Sequence, residues 1–297
     1  MNKSFTLIEI LVVIVVVGIL SAFILVGMNS ISDSASIAKG KTFANSIRNA
    51  LLINLVSEWK FDDGSGTQTT TKDYWTTNDG TLTSFNFDAT DGWKTGTNCV
   101  SGGCLLFDGT NDYINAQNGA DFNNLTSFTI ELWGKATVNS KDFINKAAVA
   151  GNQRSFGFNT NASGYIIMYI SPDGINWSGS KVGTVNVING KWNHIVVVYT
   201  GTKIYFYVNG ISYEAPTSYS GGVYTSSSPF LMGANYFVGA FSGYMDEIRF
   251  YKQGVSFSQI EQNYYSGLNK LFKNNGIALD EFNQRIVELK SNIADNE

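Results

Sequence analysis

Lys203-Ile204-Tyr205-Phe206-Tyr207-Val208-Asn209-Gly210-Ile211 sets the secondary-structure class of most of the chain. Asn-Gly readily takes the positive φ angles required at both central positions of a type I′ turn, the two-residue connection whose twist suits antiparallel strands. Strands are therefore expected on both sides. Ile204, Phe206 and Val208 should face inward and Lys203, Tyr205 and Tyr207 outward, because successive side chains leave a strand on opposite faces. From about Val56 to Tyr251 the chain repeats this pattern in short alternating segments separated by Gly, Asn and Asp clusters, with Pro172, Pro216 and Pro229 as the prolines. That spacing predicts an all-β sandwich.

With 297 residues, 43% hydrophobic and 14% aromatic, the chain can bury a substantial core. Twenty Lys and Arg stand against 24 Asp and Glu, and no basic run occurs, which argues against nucleic acid as a partner. Cys99 and Cys104 enclose only Val-Ser-Gly-Gly. A pair so close beside a translocated anchor reads as an oxidised hairpin clip outside the membrane. Two thiols and a single histidine are too few ligands for zinc.

The anchor lies at the other end of the chain. From Ile10 to Met28 no residue is charged and Ser21 is the sole hydroxyl. As a helix this block reaches roughly 28 Å, the thickness of a bilayer's hydrocarbon core. The expected membrane-spanning segment is 7–28. Glu9 sits at its edge, where a carboxylate is costly unless something compensates it. Past the membrane Ala35, Ala38, Phe43, Ile47, Leu51 and Leu55 recur at three- and four-residue steps, so one helix is expected over 5–55.

Phe5-Thr6-Leu7-Ile8-Glu9, preceded by the polar leader Met1-Asn2-Lys3-Ser4, resembles the class III signal sequence of type IV pilins and pseudopilins. The resemblance implies that a prepilin peptidase cuts between Ser4 and Phe5 and methylates the new amine. It implies also that Glu9 neutralises the Phe5 amine of a neighbouring subunit, two groups that are costly alone in apolar surroundings. Ser4 stands where the family usually has Gly, and Ile24-Leu25-Val26-Gly27 lacks the family's frequent kinking proline. The implied partners are other pilin subunits and the inner-membrane assembly machinery. The implied location is the cytoplasmic membrane before assembly and the cell surface after it.

The strand-rich region is similar to laminin-G-like, concanavalin A-like jelly rolls. The resemblance rests on Glu58-Trp59-Lys60-Phe61-Asp62-Asp63-Gly64-Ser65-Gly66, Leu106-Phe107-Asp108-Gly109-Thr110-Asn111-Asp112-Tyr113-Ile114 and Ser127-Phe128-Thr129-Ile130-Glu131-Leu132-Trp133. Gly190-Lys191-Trp192-Asn193-His194-Ile195-Val196-Val197, Tyr207-Val208-Asn209-Gly210 and Phe241-Ser242-Gly243-Tyr244-Met245-Asp246-Glu247-Ile248-Arg249-Phe250-Tyr251 follow in the family's order. It implies glycan or protein ligands, sometimes with calcium. Asp62, Asp108 and Asp246 fall in its motifs and are the candidate ligands of a structural Ca2+; the alternative is that they cap turns. Tyr165 and Tyr169 share one strand face, Tyr205 and Tyr207 share another, and the turn Ser171–Trp177 is expected to lift Trp177 beside them. These five form the candidate glycan platform; the alternative is that amphipathic rings simply cover the sandwich.

Catalysis is not expected. Polysaccharide-cleaving jelly rolls need two carboxylates about 5–10 Å apart. No Glu-x-Asp-x-x-Glu run occurs, and adjacent Asp246 and Glu247 are expected on opposite faces of a strand. His194 reads as structural.

After the sandwich, over 56–255, comes a tail over 256–297. Ser256-Phe257-Ser258-Gln259 fits a capping box, and Ile260, Tyr264, Leu268, Leu271 and Phe272 mark one face of a helix expected to stop at Gly276. Phe282, Ile286, Leu289 and Ile293 mark a second helix, which begins at Ala278 without a Ser or Thr cap. The pair resembles the short C-terminal helical hairpin of many bacterial proteins. Its stripes are expected to dock on another subunit, with the chain's own sandwich as the alternative.

The expected fold class is therefore α+β: leader 1–4, a long transmembrane and polymerisation helix, an all-β jelly-roll head and a helical hairpin. The expected function is a pilin-like structural subunit with an adhesive head and no enzymatic role. A membrane-anchored monomeric lectin-like module and a pseudopilin of a type II secretion-like machine are the alternatives.

Overall fold

A computed structural model describes residues 54–234, 236 and 239–296. The leader, Ser4, Phe5, Glu9 and the expected spanning segment lie outside the described residues. Within the described residues no helix is long and apolar enough to cross a membrane. Leu55, expected to close the long helix, instead opens the first strand.

Numbered in chain order, one sheet holds β1 (Leu55–Trp59), β4 (Gly92–Thr95), β5 (Gly103–Asp108), β7 (Phe128–Ala136), β12 (Asn193–Tyr199), β13 (Lys203–Val208), β14 (Thr217–Ser218) and β16 (Ser242–Tyr251). Its order is β14-β13-β12-β7-β16-β5-β4, with β1 also paired to β16. The second sheet holds β2 (Thr70–Thr71), β3 (Gly80–Thr83), β6 (Tyr113–Asn115), β8 (Asp142–Lys146), β9 (Phe156–Thr160), β10 (Tyr165–Ile170), β11 (Gly179–Asn186) and β15 (Leu231–Met232). It runs β11-β10-β9-β8-β15-β6-β3-β2. All pairings are antiparallel, and the inner faces close on one aromatic-rich core. Phe122 and Phe230 lie at its centre, their ring centroids 4.7 Å apart, with Trp59 5.5 Å from Phe230.

The turn at Asn209-Gly210 has the expected form, with φ of 53° and 76°. Ile204, Phe206 and Val208 enter the core as the alternation requires. The return strand is shorter than expected. Ile211 bridges back to Val208, and pairing resumes only at Thr217–Ser218, after Pro216, which has no N–H to donate.

Strand β16 is the centre of the first sheet. Its first half pairs with β5 and its second half with β1, while β7 runs along its other side. The register slips between Asp246 and Arg249, and Glu247 has a φ of 50°. Met245, Ile248 and Phe250 all face the core, so the bulge inserts one residue into the alternation. Asp246 and Glu247 therefore both lie on the outer side, which corrects the expectation that they face opposite ways.

That outer side is covered by two helices, α1 (Phe257–Lys273) and α2 (Leu279–Asn296). Ser256 Oγ accepts from the Gln259 N–H at 3.3 Å, giving the expected N-cap, but the Gln259 side chain turns to Asn263 and leaves the reciprocal half of the capping box unmade. At the other end the Asn275 N–H bonds the Phe272 carbonyl and the Gly276 N–H bonds the Leu271 carbonyl, a Schellman motif. Its left-handed residue is Asn275, at φ 58°, rather than Gly276. The second helix lacks a side-chain cap, yet Asp280 and Glu281 in its first turn complement the helix dipole. Phe272 and Phe282 stack at 4.7 Å to join the pair.

Both apolar stripes dock on the chain's own sandwich, not on another subunit. Ile260 meets Val196 and Val198 of β12, and Tyr264, Leu268 and Leu271 pack with Trp133, Trp192 and the disulfide. The approach is close. A Cβ at Gly267 would stand 2.6 Å from the Trp133 ring, and one at Gly210 would stand 2.9 Å from both Leu289 and Tyr264.

Candidate functional site

Between the first sheet and α1 lies a network of buried charge. Arg249, on β16, donates through Nε to Glu58 Oε1 at 2.8 Å, through Nη1 to Glu131 Oε1 at 2.9 Å and through Nη2 to Glu247 Oε2 at 2.5 Å. Lys270 reaches down from α1 to Glu247, while Asn263 and Tyr251 donate to the second oxygen of Glu131. His194 Nε2 stands 3.1 Å from Glu131 Oε1, and its ring packs against both Trp133, at 5.3 Å, and Tyr264, at 5.8 Å. The bulge aims Glu247 into this network, because it turns that side chain to the face Arg249 already occupies.

The electrostatics are those of a structural cluster. Burial alone would raise Glu131, but the Arg249 guanidinium, followed by His194, outweighs it and holds the carboxyl at about 2. Glu247 is likewise lowered: burial works against ionisation, and Arg249 and Lys270 overcome it. Neither acid can hold a proton to donate near neutrality. The cavity beside them, lined by Trp133, Arg249, Asn263 and Lys270, is only about 50 Å3. His194 is fully buried, in keeping with its structural reading.

Asp246 has a different task. Its Oδ2 accepts from the backbone N–H groups of Val100 and Ser101, inside the loop closed by the Cys99–Cys104 disulfide. Complete burial, with Glu247 next to it, pushes its carboxyl well above the ordinary range. Asp62 caps the same loop from the other side, accepting from the Gly103 N–H at 2.8 Å. Asp246 thus holds the disulfide loop to β16, and Asp62 holds it to the segment after β1.

Asp108, the third expected calcium ligand, joins a different group. One oxygen each from Asp91, Asp108 and Asp112 lies within 4.8 Å of the others. Two ligands of one Ca2+ at about 2.3–2.6 Å can be no farther apart than about 5 Å, so the spacing fits that ion. Asp112 is fully buried; its Oδ2 accepts from the Asp108 N–H, whereas its Oδ1 has no hydrogen-bond partner. Burial, reinforced by the charges of Asp108 and Asp91, raises its carboxyl to about 7. Of these three only Asp108 is expected from the sequence; Asp112 stands in the same Phe-Asp-Gly-Thr-Asn-Asp run without being singled out, and Asp91 lies on a separate loop with no motif to mark it.

A groove of about 230 Å3 opens beside this trio, on the outer side of β5, β7 and β16. Thr90, Leu106, Asp108, Lys135, Ser242 and Tyr244 are among its lining residues.

The five expected aromatics are split between the two outer faces. Tyr169 of β10 and Trp177 lie 6.0 Å apart on the second sheet's side, with Trp177 6.4 Å from Tyr236 and within 5.9 Å of the Arg154 guanidinium. Tyr165 shares the outward face of β10 with Tyr169. Tyr205 and Tyr207 stack at 6.4 Å on the first sheet, where Phe257 of α1 lies 5.8 Å from Tyr207. The helix occupies that half of the platform.

Comparison with known proteins places this architecture. Residues 108–261, over half of the chain, match the family described as the concanavalin A-like lectin/glucanases superfamily, and residues 1–25 match the prokaryotic N-terminal methylation motif. No curated protein sequence matches the chain. Among solved structures, the binding domain of Paraclostridial Mosquitocidal Protein 1 is similar at a TM-score of 0.55 and 16% identity, over 74% of this chain and 53% of that one. Domain 4 of AbnA, a GH43 extracellular arabinanase from Geobacillus stearothermophilus in complex with arabinotriose, aligns at a TM-score of 0.52 and 17% identity, over 70% of this chain and 97% of that one. The botulinum neurotoxin serotype D ligand binding domain in complex with N-acetylneuraminic acid aligns at 0.52 and 11% identity, over 74% of this chain and 52% of that one. The chain thus spans about half the length of the two toxin domains. At these identities the likeness is one of fold, and together with the family match it shows that the chain belongs to the concanavalin A-like lectin/glucanases superfamily.

Proposed function

We propose that this chain is a type IV pilin-like subunit that displays a glycan-binding head on a cell-surface filament. One observation carries the reading: a methylation motif over residues 1–25 and a concanavalin A-like fold over 108–261 occur in a single chain. The leader 1–4 is removed between Ser4 and Phe5 by a prepilin peptidase, the following helix anchors the subunit and then polymerises, and Glu9 registers each copy against the Phe5 amine of its neighbour. The partners are other subunits and the inner-membrane assembly machinery. The head is a binding module. Glycans are its ligand class because a saccharide accompanies two of its structural neighbours and because ring-bearing and hydroxyl-bearing surfaces lie open on it.

In this reading Ca2+ is a structural cofactor held by Asp91, Asp108 and Asp112 rather than by Asp62, Asp108 and Asp246. Bound there, the ion would offset the charge of the acidic trio and satisfy the free Asp112 oxygen. Melting followed with added Ca2+ and with a chelator tests it: a rise of several degrees that Asp112→Asn abolishes is expected. Equal melting in both conditions would remove the ion from the reading.

Assembly is tested by Glu9→Gln in cells. The sheared surface fraction should lose the protein while the membrane fraction keeps it. Filaments at normal abundance would overturn the subunit role.

A further inference from the structure

The groove beside the acidic trio has a chemistry of its own. Tyr244 lies opposite Leu106 on one side and Lys135 on the other, and Ser242, two residues back along β16, lies opposite Asp108. The groove's charges are therefore set apart, an ammonium at one end and a carboxylate at the other. The volume of about 230 Å3 is below that of a drug-sized or cofactor pocket and suits a sugar residue or two.

Each wall offers something a sugar uses. The half-buried Tyr244 ring is backed by Trp192 at 6.1 Å, so it is a fixed surface for the apolar face of a pyranose. The Lys135 ammonium lies 5.3 Å from the Tyr244 ring, and among the described residues no carboxylate pairs with it. Thr137, at the rim, and Ser242 carry hydroxyls with no hydrogen-bond partner among the described residues. Asp108 binds the Thr110 N–H through Oδ1 and keeps acceptor capacity for a ligand hydroxyl. An unpaired ammonium beside an aromatic ring selects for negative charge, because a charge-assisted hydrogen bond is about twice as strong as a neutral one.

We infer that this groove is a saccharide subsite specific for a sugar that bears a carboxylate. Lys135 takes the carboxylate, Tyr244 covers the ring, and Ser242, Thr137 and Asp108 take hydroxyls. The inference rests on the glycan-binding reading of the head and gives that reading a site and a ligand class. It also places the site on the first sheet's outer side, away from the Tyr169–Trp177 pair.

Calorimetric titration of the full chain with tri-galacturonate and with its fully methyl-esterified form tests this, since the ester loses the charge of each carboxyl and gains one methyl group there. The acid should bind at least tenfold more tightly. Lys135→Gln should bring the acid's affinity down to that of the ester measured on the same variant, and Tyr244→Ala should abolish binding of both. Lys135→Gln and Thr137→Val change half-exposed and exposed positions and keep the test usable if Tyr244→Ala unfolds. Equal affinity for acid and ester, or an unchanged preference in Lys135→Gln, would overturn the subsite. Loss of binding in Tyr169→Ala/Trp177→Ala instead would also overturn it, yet leave the head a glycan binder. A wild-type chain that binds no member of a glycan array would overturn both readings together.

Discussion

The two outer faces of the sandwich are built from the same kind of strand and end in opposite states. On the second sheet β10 alternates half-buried and buried positions, and β11 alternates exposed and buried ones; Val182 remains 52% exposed. On the first sheet every residue of β12 and all but Lys135 of β7 are buried. The difference is α1 and α2. They convert the first sheet's outer face into a second core, and the charged groups on that face became affordable only because Arg249 joins them into one network. A face left open can bind, while a face that has been covered holds the fold together. The groove survives on the first sheet because it lies over β5, β7 and β16, where Lys135 and Tyr244 remain half-exposed.

The sharpest way to break this contrast is Arg249→Met. It leaves Glu131 buried without its guanidinium and Glu247 with Lys270 as its remaining ion-pair partner, so a loss of about 3–5 kcal/mol is expected in chemical denaturation. Leu268→Ala, which removes only packing from α1, should cost about 2–5 kcal/mol. A loss below about 1 kcal/mol for both would mean that the helices do not seal this face.

Acid should act on the same face. Glu131 sits at about 2, far below its ordinary value, so its contribution to stability is complete above about pH 4.5 and is lost as the pH falls toward 2. Urea midpoints from pH 6 to 2.5 should drop, and Glu131→Gln should flatten the drop while lowering the neutral-pH midpoint. An equally steep drop in the variant would place the acid sensitivity elsewhere.

The smallest effect is expected on the open face. Val182→Thr should change stability by no more than about 0.5 kcal/mol. A change above about 1 kcal/mol would show that this face, too, is covered in solution.

Much of the covered face was written in the sequence but read only in part. The run Ile195-Val196-Val197-Val198-Tyr199 does not alternate, and an apolar run of that kind marks a strand buried on both sides. The stripe Ile260, Tyr264, Leu268 and Leu271 was legible as a helix face, though not its destination, because an apolar stripe does not name the surface that will bury it. The bulge at Glu247 left no local mark: Met-Asp-Glu-Ile-Arg reads as an unbroken strand, and only its register against β7 reveals the slip. Of the acidic trio the sequence marks Asp108 alone: Asp112 stands in the same motif without being singled out, and Asp91 comes from elsewhere. The aromatic platform was drawn as one surface, because alternation assigns each tyrosine a side of its own strand and cannot tell which sheet that strand joins.

By itself the sequence determined the class of several segments: the type I′ turn at Asn209-Gly210, the strand before it, the Ser256 cap and the disulfide pair. These follow from short-range chemistry, in which backbone geometry, side-chain period and residue spacing act over a few positions. Only the tertiary structure decided which face the helices would close, where Asp246 and Glu247 would point, and which aspartates would meet. Those outcomes depend on contacts between separate segments, from Asp91 with Asp112 to Asp246 with Val100 and Arg249 with Glu131, the last two more than a hundred positions apart, and no local pattern carries that information.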